Sequence, residues 1–363
     1  MPRSENEAST QHDVGIVAVA CSACFSDRGL QLDAERSGIA LDTECPNCGS
    51  HKGKKLDTTG LEEIAHKFFV WGSLRRFEYG TAPRIQFNQH QKTSIKVSEW
   101  LQADLKVFET VLGVGFFDYG PRYWMFGEVE PLKALQDSSA REAVIERILR
   151  EYPTMTLSPT EMIYRIRVNP TSPAEFLEYD SPPAELLGNG RLDSKDFPVL
   201  YGSPDLEVCL HEYRVTVEDD LYVATLSPMR DLRMLNLAVI LEEEAVTEFE
   251  SLDMAVHMLF MAGTHSYEIA REIAKSALRA GFAGLMFPSY FTYLRRGNMP
   301  FQTVLGISHR RIPQFRAYEQ ARPVQNIALF GRPIRDEVVS VHSVDKVILR
   351  GANYNFHFGP VYA

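Results

Sequence analysis

The sequence predicts an α+β protein whose second half carries the main β-sheet. Short apolar runs of strand length, such as 284–288, 303–307 and 327–330, alternate with helical periodicity over 242–262 and 266–280. Strands interleaved with helices at these spacings indicate a mixed domain with one main sheet.

Composition shifts along the chain predict its organisation. A polar segment, 1–13, is expected to be disordered, and a four-cysteine segment, 14–55, is expected to be a small zinc ribbon. Residues 56–157 carry mainly helical signals, and 158–363, where the strand signals begin, are expected to form one further domain. The role of the middle region stays open between holding a partner, joining subunits in a homo-oligomer and covering a cleft.

The charge and hydropathy of the chain exclude several classes of protein. A net charge of −10 argues against a protein that coats nucleic acid, since that task needs a basic face. No run of about 18 apolar residues suggests a membrane span, and the opening MPRSENEASTQHD has no apolar signal core. We therefore expect a cytoplasmic protein that contacts no membrane.

Two C-x2-C pairs, Cys21/Cys24 and Cys45/Cys48, are separated by twenty residues. Thiolates spaced in this way on two tight turns can reach one tetrahedral Zn²⁺ ion at about 2.3 Å. Disulfides would need an oxidising compartment, which nothing in the sequence suggests. Four thiolates close the coordination sphere, so the zinc is expected to be structural.

The middle region contains signals for three helices and a glycine pair that is not a dinucleotide-binding loop. Helices are expected over Leu61–Tyr79, over 97–112 with a stop at Gly113, and after a capping box at Ser139. The GVG at 113–115 lacks the third glycine and the surrounding strand and helix of a dinucleotide loop, so we interpret it as packing and turns.

The stretch 189–212 contains the strongest candidate for a ligand site. It predicts a turn carrying Arg191, a short strand ending at Tyr201, and a helix with Ser203 as its N-cap. Glu212 and Glu207 both fall at the edges of the apolar stripe of that helix, so the helical geometry does not choose between them.

Four blocks of sequence resemble the RES domain, named for its arginine, glutamate and serine. The blocks are Ile163-Tyr164-Arg165, Gly190-Arg191, Pro-Val-Leu-Tyr followed eleven residues later by Glu212, and the segment His265 to Ser289. The match covers roughly 158–310 and favours Glu212 over Glu207. The chain departs from the family in GRLDSKDFP, which lacks the aromatic and asparagine that commonly follow the family arginine, and this affects the expected substrate pocket.

The resemblance implies a fold and a reaction. RES domains resemble ADP-ribosyltransferases, with a split mixed sheet and a cleft for a nicotinamide dinucleotide. The implied reaction is cleavage of NAD at its nicotinamide N-glycosidic bond, by a hydrolase or a glycosyltransferase that acts as a toxin or defence effector. Glu212 would stabilise the cationic ribose, and Arg165 and Arg191 would bind the pyrophosphate.

The resemblance also implies roles for three hydroxyl side chains. Tyr201 would stack on nicotinamide or ribose. Ser266 begins a helix and could bind an anion there, either the NAD phosphate or inorganic phosphate, or it could be a simple helix cap. Ser289, at a strand end, is the competing candidate for the family serine or a simple turn residue; we favour Ser266.

The sequence is compatible with three different functions. The first is NAD hydrolysis or phosphorolysis, with an antitoxin protein as a partner that blocks the cleft. The second is transfer of ADP-ribose to a protein. The third is a non-catalytic zinc-containing binding module.

Overall fold

The computed structural model describes residues 17–119, 128–289, 291, 324–352 and 356–361. The predicted disordered segment 1–13 and a predicted strand at 303–307 lie outside these residues. The chain divides into two compact units, the first made of 1–74, 83–120 and 355–363, and the second of 75–82 and 121–354. None of the described helices is long and apolar enough to cross a membrane.

The first unit surrounds an aromatic core. Its helices are α1 (Arg28–Ser37), α2 (Thr58–Ala65) and α3 (Glu99–Leu112), and its strand pairs are β1 (Ala20–Cys21) with β2 (Lys55–Leu56) and β5 (Ile85–Asn88) with β6 (Gly115–Asp118). Side chains from the cysteine segment and from the middle region share this core: Phe25, Leu30, Leu61, Phe69, Phe108 and Phe116. One hydrophobic core therefore spans the expected boundary at residue 55.

Two expectations for the middle region need correction. The helix expected over Leu61–Tyr79 ends at Ala65, passes through a π-helical turn and a 3₁₀ turn, and gives way to a hairpin of β3 (Leu74–Phe77) and β4 (Gly80–Pro83). Part of the expected helix is thus strand. The expected stop at Gly113 is confirmed, since this residue caps α3 with a positive φ of 67°.

The second unit is built on two sheets. Its strands are β7 (Thr154–Leu157), β8 (Ile163–Val168), β9 (Val199–Gly202), β10 (Leu221–Pro228), β11 (Leu232–Asn236), β12 (Gly284–Pro288), β13 (Gln325–Phe330) and β14 (Val339–Val347). Its helices are α4 (Glu130–Gln136), α5 (Arg141–Glu151), α6 (Leu206–Glu212), α7 (Leu252–Met261) and α8 (Tyr267–Arg279).

The sheets have the orders β14-β10-β8 and β7-β11-β12-β13-β9. All named pairs of the second unit are antiparallel except β11 with β12. A bridge between Tyr164 and Ser203 links β8 to the end of β9. The expected α+β class and split mixed sheet are confirmed.

The five-stranded sheet is buried on both faces. One face packs against α7 and α8, whose apolar residues form a continuous core with Leu285, Phe287 and Ala328. The other face packs against Ile163, Leu226 and neighbouring residues of the three-stranded sheet. This packing fixes the strand ends from which the candidate site is built.

Three expected helix starts are wrong in the second unit. Asp205, not Ser203, caps α6, because its carboxylate accepts from the amide of Val208 at 3.1 Å. The expected capping box at Ser139 does not form, because that hydroxyl donates to Asp137 and α5 begins at Arg141. The helix expected from 242 begins at Leu252, where Ser251 caps it.

Candidate functional site

The carboxylate of Glu212 lies at the centre of a cluster at one end of the five-stranded sheet. Its Oε1 accepts a hydrogen bond from the hydroxyl of Ser289 at 2.6 Å and another from the side-chain amide of Asn326 at 2.7 Å. Both donors bind the same oxygen, and no described residue donates to Oε2. Glu212 as a whole is solvent-exposed.

Three elements bring this cluster together. Glu212 is the last residue of α6, Ser289 directly follows β12, and Asn326 lies near the start of β13. Strands β12 and β13 are antiparallel, with Phe287 opposite Asn326, so the end of one strand lies beside the start of the other. The sheet register therefore places the two donors.

Arg191 lies on the turn before β9 and reaches the C-terminal end of α7. Its guanidinium donates to the carbonyls of Leu259 and Ala262 at 3.1 and 2.7 Å, and to the hydroxyl of Ser266 at 3.2 Å. It also lies 4.8 Å from the ring centroid of Tyr267. Burial lowers the pKa of Arg191, and the Tyr267, Glu212 and Tyr201 side chains oppose that shift. Arg191 and Glu212 thus attract each other electrostatically.

Tyr201 organises the turn that carries Arg191. Its hydroxyl accepts from the amides of Leu192 and Asp193 at 2.8 and 3.1 Å and donates to the Asp193 carboxylate at 2.9 Å. A Cβ on Gly190 would lie 2.0 Å from Asp193 Oδ1, so a larger residue there would displace that carboxylate. Burial raises the pKa of Tyr201 well above its ordinary value, so the phenol stays protonated at neutral pH.

Arg271 closes the same turn from the side of α8. Its guanidinium donates to the carbonyls of Gly188 and Gly190 at 2.6 and 2.8 Å. It also lies 5.9 Å from the ring centroid of Tyr267, which contacts Arg191 as well. The buried Nε of Arg271 has no hydrogen-bond partner among the described residues. Arg271 is therefore the link between α8 and the turn of Arg191.

The two candidate serines occupy different environments. Ser266 is fully buried, donates to the carbonyls of Leu259 and Gly263, and accepts from Arg191. Its side chain makes no cap at the start of α8. Ser289 instead bonds the Glu212 carboxylate. Ser266 is thus associated with the arginine and Ser289 with the glutamate.

Arg165 is separated from solvent, with 1% of its surface exposed. Its guanidinium donates to the carbonyls of Tyr179, Asp180 and Tyr201 at 3.3, 3.3 and 2.7 Å, and to the hydroxyl of Tyr213 at 2.9 Å. These four bonds join β8 to β9 and to the residue after α6. Arg165 is engaged inside the protein, and its expected contact with pyrophosphate stays a prediction.

The structure therefore brings Glu212 together with Ser289 and Asn326. It brings Arg191 into direct contact with Ser266. Tyr201 and Arg271 bind the turn that carries Arg191. The sequence analysis missed Asn326 and Arg271. Asn326 begins an apolar strand and Arg271 lies on an amphipathic helix, so neither has a local signal. Only the sheet register and the packing of α8 give them partners.

The four cysteines of the first unit form one cluster. Their Sγ atoms all lie within 4.8 Å of one another, with Cys21–Cys24 at 3.8 Å, Cys21–Cys48 at 3.6 Å and Cys24–Cys45 at 3.6 Å. Sulfurs at the corners of a tetrahedron with 2.3 Å metal bonds are separated by about 3.8 Å. The cluster therefore fits one tetrahedral metal ion, and the fifth cysteine, Cys209, is buried in the second unit.

Two neutral hydrogen-bond donors reach one of these sulfurs. The amide of Cys21 and the side chain of Asn47 donate to Cys24 Sγ at 3.4 and 3.3 Å. Burial raises the pKa of Cys21 to about 11 and raises that of Cys24 further. A bound cation is what would stabilise these groups as thiolates.

Comparison with known proteins gives two matches and one negative result. A family model described as the RES domain matches residues 162–324, a little under half of the chain. The chain is also similar to the crystal structure of the M. tuberculosis MbcT-MbcA toxin-antitoxin complex, with a TM-score of 0.32 and 13% identity, over 56% of this chain and 91% of that one. No curated protein gives a significant match.

Proposed function

We propose that this chain, whose residues 162–324 match the RES-domain family model, consumes NAD by cleaving the bond between nicotinamide and ribose. The observation that carries the proposal is the Glu212 carboxylate, exposed and held by two donors on a single oxygen. Such a group is fixed in orientation and keeps its second oxygen for a ligand. It suits a reaction in which positive charge develops on a sugar.

The chemistry needs one carboxylate and no general acid for the leaving group. As the bond from ribose C1″ to the pyridinium nitrogen breaks, its electron pair goes to nicotinamide, which leaves as a neutral molecule. The ribose becomes oxocarbenium-like, as in glycoside cleavage. Oε2 of Glu212 would accept a hydrogen bond from the 2″-hydroxyl of the same ribose, and its charge would stabilise the cation. Attack on C1″ by an anionic phosphate oxygen, or by water that loses one proton to solvent, completes the reaction.

Arg191 is our candidate for the pyrophosphate. Its guanidinium has favourable electrostatics with Glu212, and its position on the turn before β9 is fixed by Tyr201 and Arg271. Arginine suits this role because it stays charged and presents several donors at fixed angles. Tyr201, whose hydroxyl is engaged by the turn, acts in this proposal as a positioning residue.

Arg165 takes a different role in the proposal. It positions β9 and Tyr213 through its internal hydrogen bonds, and with 1% of its surface exposed it could contact pyrophosphate only after a rearrangement. Ser289 orients Glu212, while Ser266 supports Arg191. We therefore now favour Ser289 as the family serine.

We further propose that the chain acts as a toxin or defence effector in the cytoplasm. An NAD-consuming enzyme depletes a cofactor that its own cell needs, so an inhibitory partner is required while the protein is made. An antitoxin that covers Glu212 would meet that requirement. The exposure of the carboxylate supports direct occlusion as the mode of inhibition.

The four-cysteine cluster is proposed to hold structural Zn²⁺. Its four sulfurs fill the coordination sphere, and soft thiolates favour Zn²⁺ over Mg²⁺ or Ca²⁺. We expect about one zinc per chain by elemental analysis. Chelation should unfold the first unit before NAD turnover falls, whereas turnover lost ahead of any unfolding would contradict a structural role.

Product analysis tests the enzymatic proposal. The purified chain is incubated with NAD, with and without phosphate, and the products are identified by mass. Free ADP-ribose means hydrolysis, ADP-ribose-1″-phosphate means phosphorolysis, and ADP-ribosylated protein means transfer. Intact NAD under all conditions, with a folded protein and no bound partner, would overturn the proposal and favour a binding module.

A further inference from the structure

Lys55 is a buried cation in the first unit. Only 1% of its surface is exposed, and its Nζ donates to the carbonyl oxygens of Ser50, His51 and Gly53 at 3.2, 3.3 and 3.2 Å. No carboxylate in the described part of the chain pairs with it. A buried ammonium group is unfavourable unless negative charge offsets the lost hydration. The three carbonyl dipoles satisfy its donors but bring no net charge.

The backbone places Lys55 beside the four-cysteine cluster. In the antiparallel pair of β1 with β2, Lys55 lies directly opposite Cys21. Residues opposite each other in such a pair project their side chains to the same face of the sheet. The three carbonyls that bind Nζ belong to the loop that follows Cys48. Lys55 is thus connected to both cysteine pairs.

A metal-bound four-cysteine cluster would supply the negative charge that no described carboxylate provides to Lys55. Four thiolates and one divalent metal ion together carry a net charge of −2. The donors already found at the sulfurs, the Cys21 amide and the Asn47 side chain, are neutral and leave that charge unchanged. We propose that the ammonium of Lys55 is the counter-cation of the metal-thiolate centre, and that it also fixes the loop after Cys48.

This inference rests on the proposed metal site but not on the NAD reaction. It predicts that metal binding and the burial of Lys55 stabilise each other. It also predicts that Lys55 lowers the nucleophilicity of the bound thiolates by reducing their excess negative charge. A lysine that only anchored the loop would have neither effect beyond what a neutral hydrogen-bond donor provides.

The chain offers a matched control for this charge. Lys54 is adjacent in sequence and exposed, so Lys54→Gln removes the same formal charge from the surface. Lys55→Gln keeps a hydrogen-bond donor but loses the buried charge, and Lys55→Arg keeps the charge. Each variant is made in the full chain, and its folding is checked by circular dichroism.

Cobalt and zinc binding provide the readouts. Co²⁺ is titrated into each chain while the thiolate-to-cobalt absorption is followed, and Zn²⁺ affinity is measured by competition with a chromophoric chelator. We expect Lys55→Gln to weaken Zn²⁺ binding about 10- to 100-fold, the range for partners outside the ligand set. We also expect faster alkylation of the loaded thiolates by iodoacetamide. Lys54→Gln should match the wild-type chain in both measurements.

The outcomes separate the two proposals. If the wild-type chain gives no thiolate-to-cobalt absorption, the metal site itself is absent. If it binds metal but Lys55→Gln and Lys54→Gln behave alike, the role of Lys55 is overturned. Should Lys55→Gln not fold, Lys55→Arg decides: affinity within about threefold of wild type supports a charge role, and a loss of about tenfold or more overturns it.

Discussion

Arg165 and Glu212 lie in the same unit, but their charged groups have opposite surroundings. Arg165 is 1% exposed, and its guanidinium donates to three carbonyls and a tyrosine hydroxyl. Glu212 is exposed, and both of its described hydrogen bonds reach Oε1. A charge whose hydrogen-bonding capacity is used inside the protein stabilises the fold. A charge that is oriented but only half engaged can act on a ligand.

Arg165→Met should give the largest change in stability. It leaves buried carbonyls without donors, so we expect a loss of about 3 kcal/mol in the free energy of unfolding. Urea denaturation of the variant and the wild-type chain measures this difference in the free energy of unfolding. Arg167→Met is the control, because Arg167 is less buried and makes two described hydrogen bonds, so its loss should be smaller. Unchanged stability together with a large rise in KM for NAD would instead give Arg165 a direct ligand role.

Ser289→Ala should mainly affect catalysis. It removes one of the two donors to Glu212 Oε1, and we expect kcat to fall about 10- to 100-fold, or about 1.4 to 2.7 kcal/mol in the barrier. Steady-state kinetics with NAD measure the change. Ser266→Ala is the comparison, and because Ser266 contacts Arg191, it should raise KM more than it lowers kcat. The reverse pattern would restore Ser266 as the serine nearest the reaction.

Arg271→Met should give a smaller effect, on binding. The turn that carries Arg191 loses its link to α8, and we expect KM for NAD to rise about tenfold, or about 1.4 kcal/mol, with little change in kcat. Lys275→Met, one turn further along the same helix, is the control because the ammonium of Lys275 forms its described hydrogen bonds and ion pair with the exposed Asp196 alone. Equal KM values for the two variants would remove Arg271 from the site.

Much of the scaffold around Glu212 is predictable from local sequence. Strand β12 is an apolar run bounded by Gly284 and Pro288, and α8 has a strong apolar periodicity that ends before Gly281. The α6 helix is also predicted, although its cap moves from Ser203 to Asp205. Ser203 instead donates to the Gln325 carbonyl, a contact that exists only once β9 and β13 pair.

The partners of the site residues depend on tertiary structure. Asn326 reaches Glu212 because β13 pairs with β12 in one register, and no residue near Asn326 in sequence indicates that register. Ser266 has a plausible local role as a helix cap, but burial directs its hydroxyl to carbonyl acceptors. The core of the first unit also depends on tertiary structure, since composition changes at residue 55 while the core continues across it.

The most direct test of the central claim compares the wild-type chain with Glu212→Gln, which keeps the size of the side chain and removes its charge. NAD binding is measured by calorimetry, and nicotinamide release is followed by chromatography. We expect Glu212→Gln to bind NAD with affinity within a few-fold of wild type and to release nicotinamide at least about 10³-fold more slowly. Release at the wild-type rate by a folded Glu212→Gln chain would contradict the proposed mechanism.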